Sequence, residues 1–409
     1  MNELKARRDE PFDWKMGGWT QMENALVRAR GAPVLESIAG ALILAVGMGF
    51  GRFSFTGMYP LMVKEAAMTV SGGSLAASAN YAGYLLGALA VSRIDHRHAV
   101  RLCQFATIGT VVCLATLALH PSIALIIGAR FIAGAMSALA LVAVSVWLFH
   151  VVGHHHGAPI LYSGVGTGIA ISAELIAFGH AGGLWTAALW LLLAAASAIL
   201  SAIAWPAVAR NVRSYSEGDE GAGGASSTND AVIAPRALIA IYGLAGLGYI
   251  VTATYLPLLV RNALPQVNPV HIWAAFGLAA VPSCFLWHWL HHRWGSRTTL
   301  AANLAVQAAG VILPVLDHSA FAFLGSAVLV GGTFVGTVTV VMPAAKRVAH
   351  AVKFNLMATL TAAYGLGQIV GPLLSDRLVA HTHSFDQPLV VAAVALFVAA
   401  AVSCGRGRA

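Results

Sequence analysis

The chain has 409 residues, of which 58 % are hydrophobic and only 10 % are charged, and its formal net charge is +8. Soluble proteins are roughly 45–50 % apolar and about 25 % charged, so these charged side chains are too few to coat a soluble protein of this size. The composition excludes a disordered chain, a coiled coil, collagen and a nucleic-acid-binding protein, and it predicts a polytopic protein in the lipid bilayer.

Twelve stretches of the sequence are long and apolar enough to cross a bilayer, which takes about 20 residues in a helix. Apolar intervals at 33–63 and 66–92 are the first two, and breaks rich in His and Gly divide the residues between Arg101 and Arg210 into four more. Charged residues delimit the other six, at 237–260, 262–292, 298–316, 318–345, 354–375 and 387–405. The sequence therefore predicts an all-α membrane protein with twelve transmembrane helices.

The spans fall into two groups of six, separated by a segment with clustered Gly, Ser, Asn and Asp that is typical of a flexible linker. The predicted organisation is a cytoplasmic N-terminal tail at 1–32, a six-helix bundle at 33–206, a cytoplasmic linker at 207–236 and a second six-helix bundle at 237–405. The first 30 residues lack the apolar core of a signal peptide, so we expect them to be a tail and not a cleaved signal.

Basic residues are distributed unevenly between the two sides of the predicted membrane protein. With a cytoplasmic N-terminus, 19 of the 24 Lys and Arg residues lie on the inside and only Lys64, Arg261 and Arg377 on the outside. Cytoplasmic segments are enriched in basic residues, so both termini and the linker are predicted to face the cytoplasm. We expect a multi-pass protein of the cell (inner) membrane.

The two predicted bundles resemble each other in sequence. Gly49–Arg52 and Pro60 in span 1 correspond to Gly246–Tyr249 and Pro257 in span 7, an offset of 197 residues. Two further matches have offsets close to 200 residues, namely Arg93 and Arg97 with Arg293 and Arg297, and Gly164 and Gly166 with Gly365 and Gly367. An even number of spans separates equivalent helices, so the sequence predicts two parallel, pseudo-symmetric halves with a site between them near the membrane midplane.

Three short motifs carry a family resemblance. The loop Arg293–Arg297 has a basic-x-Gly-x-basic pattern, span 4 contains Arg130-x-x-x-Gly134, and Gly367–Pro372 in span 11 has a Gly-x-x-x-Gly-Pro pattern. These patterns resemble the loop, proton-coupling and antiporter motifs of the major facilitator superfamily. Span 5 has Gly164, Gly166 and Gly168 but no proline following them, and so departs from the antiporter motif, which leaves import and export both open.

Within that superfamily the chain is most similar to the bacterial YbfB/YjiJ-like permeases. The matching segments are Gly51–Phe53 in span 1, Ala79–Leu89 in span 2 and Tyr364–Pro372 in span 11. The resemblance implies the major facilitator fold, two six-helix bundles with a solute site between them, and a transporter instead of an enzyme.

Three ionisable residues lie deep inside the predicted spans, where charges are costly and usually face a polar cavity. At about 1.5 Å per residue, Arg52, Arg130 and Glu174 fall in one layer, and we expect them to form the substrate and proton-coupling centre. Two arginines against one glutamate favour an anionic or carboxylate-bearing solute. The alternative is a purely structural Arg130–Glu174 ion pair. Polar residues of neighbouring spans are expected to line the same cavity: Asn80, Tyr81, Tyr84, Tyr249, Thr361, Tyr364 and Gln368.

The short cytoplasmic loops after spans 2 and 8 are expected to lock the inner gate when the carrier opens outward. Their charged side chains would act through ion pairs and helix C-termini. The residues concerned are Arg93, Asp95, Arg97, Arg293, Gly295 and Arg297.

No metal, nucleotide or catalytic site is predicted. His154–His156 are adjacent in one short loop and cannot all point at one ion, and no Gly-x-x-x-x-Gly-Lys-Ser/Thr loop is present. The four cysteines lie in apolar stretches far apart and are expected to be small buried hydrophobic residues. The expected partners are a small-molecule substrate and the lipid bilayer, with no nucleic acid, no cofactor and a monomeric chain.

These features favour a secondary active transporter that moves a small organic solute by alternating access, with the proton as coupling ion. Two alternatives from other classes are a membrane enzyme acting on lipid, for which no catalytic residues are visible, and a transporter-like sensor or scaffold that moves no solute. Within transport, efflux by proton antiport and uptake of an organic anion by proton symport both stay open.

Overall fold

A computed structural model describes residues 34–91, 95–119, 122–210 and 233–405 of the chain. These residues form helices joined by short connections, and the described ranges contain no strand. The predicted N-terminal tail and most of the predicted linker lie outside them. The long helices are α1 Val34–Lys64, α2 Val70–Ala90, α3 Ala99–Leu117, α4 Ile123–Val151, α5 Ala158–Ala181, α6 Thr186–Arg210, α7 Pro235–Ala263, α8 Pro269–Leu316, α9 Ala320–Ala351, α10 Leu356–Thr382 and α11 Asp386–Cys404.

Ten of these helices, all except α2, are long and apolar enough to cross a membrane. Helix α8 has 48 residues, or about 72 Å at 1.5 Å per residue, which is more than twice the thickness of the hydrocarbon core. Gly295 interrupts it with a φ of 75° and a ψ of 170°. A residue with a side chain rarely adopts this backbone conformation, so glycine allows the chain to break there between two helical segments.

The outer surface of the described residues is apolar. On α3, Phe105, Ile108 and Val112 recur on one helix face and are 61 %, 63 % and 58 % exposed. A stripe of this kind would promote aggregation in water, whereas lipid tails solvate it. Together with the apolar helices, it identifies a multi-pass membrane protein.

Several helices begin with a side chain that accepts a hydrogen bond from the first turn. Thr69, Asn268, Ser319 and Asn355 fill this position for α2, α8, α9 and α10. The first backbone N–H groups of a helix have no partner within the helix, so these caps fix where each span starts.

Contacts across the molecule define two faces. We call residues 34–210 the N-half and residues 233–405 the C-half. The face of the molecule at which α6 ends and α7 begins is called the linker face, and the opposite face is called the distal face. On the distal face the Arg261 guanidinium donates to the Pro60 carbonyl oxygen, and the Ser71 hydroxyl donates to Asp376 Oδ2 at 2.9 Å. Polar contacts between the halves extend from this face inward.

Helices α1 and α7 meet at the centre of these contacts. Pro257 has no N–H, so the carbonyl of Ala253 loses its usual donor four residues along the helix. The Thr56 hydroxyl of α1 donates to that oxygen at 2.7 Å. The proline of one half thus creates an acceptor that a side chain of the other half satisfies.

The cysteine prediction is confirmed for three of the four residues. Cys103, Cys113 and Cys284 are buried free thiols. Cys404 is also free but exposed, since it is the last residue of α11, so the expectation that it is buried is wrong.

Candidate functional site

Arg52 lies near the end of a π-helical stretch, Ala45–Phe53, inside α1. In a π-helix the backbone hydrogen bonds span five residues, an arrangement that is rare and occurs often at functional sites. A Cβ atom at Gly49 would overlap the backbone of Gly168 in α5, so glycine lets the two helices pack backbone to backbone. The position of Arg52 therefore depends on close packing around an irregular helix.

The side chains of α4 hold this stretch in place. The Arg130 guanidinium donates to the carbonyl oxygens of Gly51 at 2.9 Å and Arg52 at 2.8 Å. About two turns further along α4, the Ser137 hydroxyl donates to the carbonyl of Gly47. Arg130 is 1 % exposed and is bound to backbone, so the structure makes it a positioning residue for Arg52.

Arg52 itself is a buried cation surrounded by aromatic rings. Its side chain is 2 % exposed, and its guanidinium carbon lies 4.2 Å from the ring centre of Tyr84, 5.0 Å from that of Tyr81 and 5.2 Å from that of Phe53. Ring faces attract cations and offset part of the lost hydration. Among the residues that the structure describes, no carboxylate lies within ion-pair distance of Arg52.

A chain of hydrogen bonds connects Arg52 to the C-half. Its Nη2 donates to Gln368 Oε1 of α10 at 2.8 Å, and Gln368 Nε2 donates to the Tyr249 hydroxyl of α7 at 2.6 Å. Tyr249 is the middle residue of α7, and Gln368 lies one residue from the middle of α10. The structure therefore brings together three of the predicted site residues at mid-depth, between the halves.

Aromatic rings of the C-half form a stack beside this chain. The rings of Tyr242, Tyr364, Tyr249 and Phe334 follow one another with centres 4.2, 5.7 and 5.6 Å apart and interplanar angles of 20°, 13° and 12°. Phe334 also packs edge-on against Phe53 of the N-half. The four rings are buried, and Tyr364 and Tyr249 each have a neighbouring ring on both sides.

The other polar residues predicted for the site divide into two groups. Asn80 Nδ2 donates to the Arg130 carbonyl at 2.8 Å, and the Tyr81 hydroxyl shares a hydrogen bond with that of Thr254 at 2.9 Å. Both lie beside Arg52 or its support. The Thr361 hydroxyl instead donates to the carbonyl of Met357 in its own helix.

The structure does not place Glu174 with the two arginines. Its carboxylate contacts His271 Nδ1 at 3.0 Å, and the two side chains are 38 % and 51 % exposed. Glu174 falls on the same face of α5 as Ile171 and Phe178, which are 39 % and 70 % exposed. The expected three-residue centre, and with it the Arg130–Glu174 ion pair, is therefore wrong: depth along a helix predicted a shared layer, but the helical face points outward.

The predicted gating residues lie at the linker face where the structure describes them; Arg93 is outside the described residues. The backbone N–H of Arg97 donates to Asp95 Oδ1 at 3.0 Å, which caps the short turn before α3. The Arg293 guanidinium lies 5.9 Å from the ring centre of Trp289, next to the break at Gly295. Their gating role stays a prediction.

Gly134 of the Arg130-x-x-x-Gly134 motif is expected to be intolerant of substitution. A Cβ atom there would overlap the carbonyl oxygen of Asn80, whereas a Cβ at Gly128 of the same helix would meet nothing within 4 Å. Gly134→Ala should push α2 away from α4 and lower the melting temperature in detergent by several degrees. Gly128→Ala should leave it unchanged or raise it, because alanine favours a helix over glycine by about 1 kcal/mol. Equal melting temperatures for the two variants would refute this packing role.

Sequence reasoning missed three residues of the arrangement. Phe334 and Tyr242 belong to the ring stack, and an isolated aromatic residue in an apolar span carries no signal of its own. His271 lies within the predicted span 262–292 and was not matched to Glu174. The repeat could have helped, because Arg52 and Tyr249 occupy equivalent positions in it.

Within the described residues no group of three or more His, Cys, Asp or Glu side chains is placed to hold a metal ion. The features of the site are thus a buried cation, hydrogen-bond donors and acceptors from both halves, and a buried stack of aromatic rings. These groups suit the binding of a small solute.

Comparison with known proteins agrees with this description. No curated protein sequence matches the chain. A family model described as "uncharacterised MFS-type transporter YbfB" matches residues 44–404, which include every long helix from the middle of α1 to the end of α11. The chain therefore belongs to this family of the major facilitator superfamily, whose members are transporters and not enzymes.

Proposed function

We propose that the protein is a secondary active transporter that moves a small organic solute by alternating access, coupled to the proton gradient. One observation carries the proposal: the hydrogen-bond chain from Arg52 through Gln368 to Tyr249 crosses between the halves at mid-depth, in a buried position. A solute that replaces one of these bonds would change how the two halves are held together. Solute binding and movement of the halves are thereby linked.

The proposed architecture is twelve transmembrane helices in two six-helix bundles, 33–206 and 237–405. The length of α8 and its break at Gly295 support two crossings, one on each side of that residue. Helix α2 has 21 residues, enough to cross the bilayer. The other nine candidate spans, added to α2 and the two crossings of α8, make twelve.

The distal face is proposed to be the outer face of the inner membrane, with both termini and the linker in the cytoplasm. The bias of Lys and Arg toward the other side supports this orientation. Polar contacts join the halves from the level of Arg52 to the distal face, so the conformation described is closed toward the outside. Arg97, Arg293 and Arg297 would form the corresponding closure at the linker face in the opposite state.

Two contacts between the halves, near the distal face, are related by the internal repeat. Ser71 and His271 lie 200 residues apart, and Glu174 and Asp376 lie 202 residues apart, close to the offsets of the repeat. Each acid of one half binds the partner at the start of a helix in the other half: Glu174 with His271, and Asp376 with Ser71. We call these two contacts the distal acid pairs.

The distal acid pairs support a route for proton coupling that does not involve the arginines. A protonated carboxyl group loses the charge that strengthens its hydrogen bond to a donor, so protonation from the distal side would weaken both contacts. Proton binding would then favour opening toward the side from which the proton came. In this route Glu174 remains a coupling residue, but it acts through its contact with His271 and not as a partner of Arg52.

Transport in proteoliposomes tests the proposal. Purified protein is reconstituted, a panel of labelled organic solutes is supplied, and uptake and efflux are measured with and without a pH gradient. We expect at least one solute to accumulate against its concentration gradient only when the pH gradient is imposed. If no solute in the panel moves faster than through protein-free liposomes, a sensor or scaffold is the better interpretation.

A further inference from the structure

We propose that the transported solute is an organic anion with a flat aromatic ring, whose carboxylate binds Arg52 while the ring packs against the aromatic stack. This inference rests on the proposed function and specifies the substrate class of the same site. It follows from three features of the site: an uncompensated charge, a neutral side chain in the place of an anion, and the geometry of the rings.

The charge of Arg52 has no counter-charge in the described structure. Burying a cation without an anion is costly, by about 2.5–3.5 kcal/mol at the centre of a span on insertion scales. The one acid expected to compensate it, Glu174, lies with His271 on an outward-facing surface. In addition, Arg52 Nε is buried and makes no hydrogen bond. The site therefore holds one full positive charge and one unused donor.

Gln368 occupies the position that an anion would take. Its Oε1 accepts from Arg52 Nη2 at 2.8 Å, as one oxygen of a carboxylate would. Hydrogen bonds between a guanidinium and a carboxylate are roughly twice as strong as neutral ones, and they are frequently bidentate. A carboxylate can thus displace the amide oxygen and use the Nε donor as well. The displaced Gln368 amide keeps its bond to Tyr249 or donates to the incoming anion.

The rings beside Arg52 favour a planar solute, because such a solute can replace one ring contact by another. Tyr84 lies directly under the guanidinium, and Tyr249 and Tyr364 stack in nearly parallel planes on the side of the C-half, each with a neighbouring ring on both sides. Aromatic pairs in offset-stacked geometry add about 0.5–1.5 kcal/mol beyond the burial of their area. An aliphatic acid would gain the charge interaction but not this stacking.

Binding to purified protein in detergent tests the two parts separately. The probes are benzoate, cyclohexanecarboxylate, which is an anion without an aromatic ring, and benzamide, which is aromatic but neutral. We expect benzoate to bind about tenfold or more tightly than either analogue, in isothermal titration calorimetry. Absence of saturable benzoate binding, or equal binding of benzoate and benzamide, overturns the proposal without any variant.

Gln368→Glu gives the sharpest variant, because it places a permanent carboxylate on Arg52 with almost no change of shape. We expect it to fold, to melt at a higher temperature than the wild type and to lose benzoate binding. Gln104→Glu on α3 adds the same charge away from the site and should bind benzoate normally. Unchanged benzoate affinity in a folded Gln368→Glu protein overturns the proposal, and so does equal loss in Gln104→Glu.

Failure of this inference differs from failure of the proposed function. Transport of neutral or cationic solutes by proteoliposomes, unaffected by Gln368→Glu, would leave the transporter intact and overturn the anion class. Selective benzoate binding without movement of any solute would support the anion site and overturn the transporter.

Discussion

Arg130→Met is expected to lower the free energy of unfolding by roughly 2–6 kcal/mol. The guanidinium is the donor to the carbonyls of Gly51 and Arg52 in the π-helical stretch, and each buried acceptor left without a donor costs about 1–3 kcal/mol. Methionine has a similar length but donates no hydrogen bond. Unfolding of the purified protein in detergent, followed by circular dichroism, measures the change.

Two control variants separate this effect from the loss of a positive charge. Arg101→Met removes an exposed arginine of α3 and should change stability by less than about 0.5 kcal/mol. Arg130→Lys keeps the charge but lacks the planar fork that reaches both carbonyls, so an intermediate loss is expected. If Arg130→Met were as stable as Arg101→Met, Arg130 would not be the support of Arg52, and a direct role in solute binding would become the better explanation.

Removal of both distal acids is expected to shift the protein toward a conformation that is open on the distal face. In the double variant Glu174→Gln/Asp376→Asn, each of the distal acid pairs loses its negatively charged acceptor. Because these side chains are partly exposed, we expect about 0.5–1 kcal/mol from each. Together these values change the ratio of the two conformations by roughly five- to thirty-fold. Distances between spin labels at Ala67 in the N-half and Asn262 in the C-half report this ratio, with Cys404 replaced.

A control variant on the same face shows whether the change in distance comes from the contacts between the halves. Asp386 lies 4.0 Å from His318, and both belong to the C-half, so Asp386→Asn removes a distal acid without touching a contact between the halves. It should leave the label distances unchanged. Equal distances in the wild type and the double variant would show that the two acids do not hold the halves together at the distal face.

The all-helical membrane architecture was predictable from the sequence because its main signals are long. Uninterrupted apolar stretches indicate spans regardless of packing, and the charged loop at Arg293–Arg297 marked the break in α8 that Gly295 makes possible. The repeat also aligned Arg52 with Tyr249, which the structure joins through Gln368.

The site was predictable only in part, because the depth of a residue along its helix and the side of the helix on which it lies are separate properties. Counting residues along a span placed Glu174 at the level of Arg52, but the face of a helix that meets its neighbours depends on packing that the uniform apolar composition of α5 does not reveal. Arg130 shows the same limit. Its depth was predicted, whereas its partners are backbone oxygens exposed by a π-helix, an irregularity that local sequence does not indicate.

The opposite movement of the two faces tests the central claim of alternating access most directly. Spin labels at Ala67 and Asn262 report the distal face, and labels at His98 and Lys353 report the linker face. We predict two populations for each pair. The Glu174→Gln/Asp376→Asn variant should raise the fraction with a long distal distance and, together with it, the fraction with a short linker-face distance. Distances that stay single-valued in both the wild type and the variant, or that change in the same direction on both faces, would contradict alternating access.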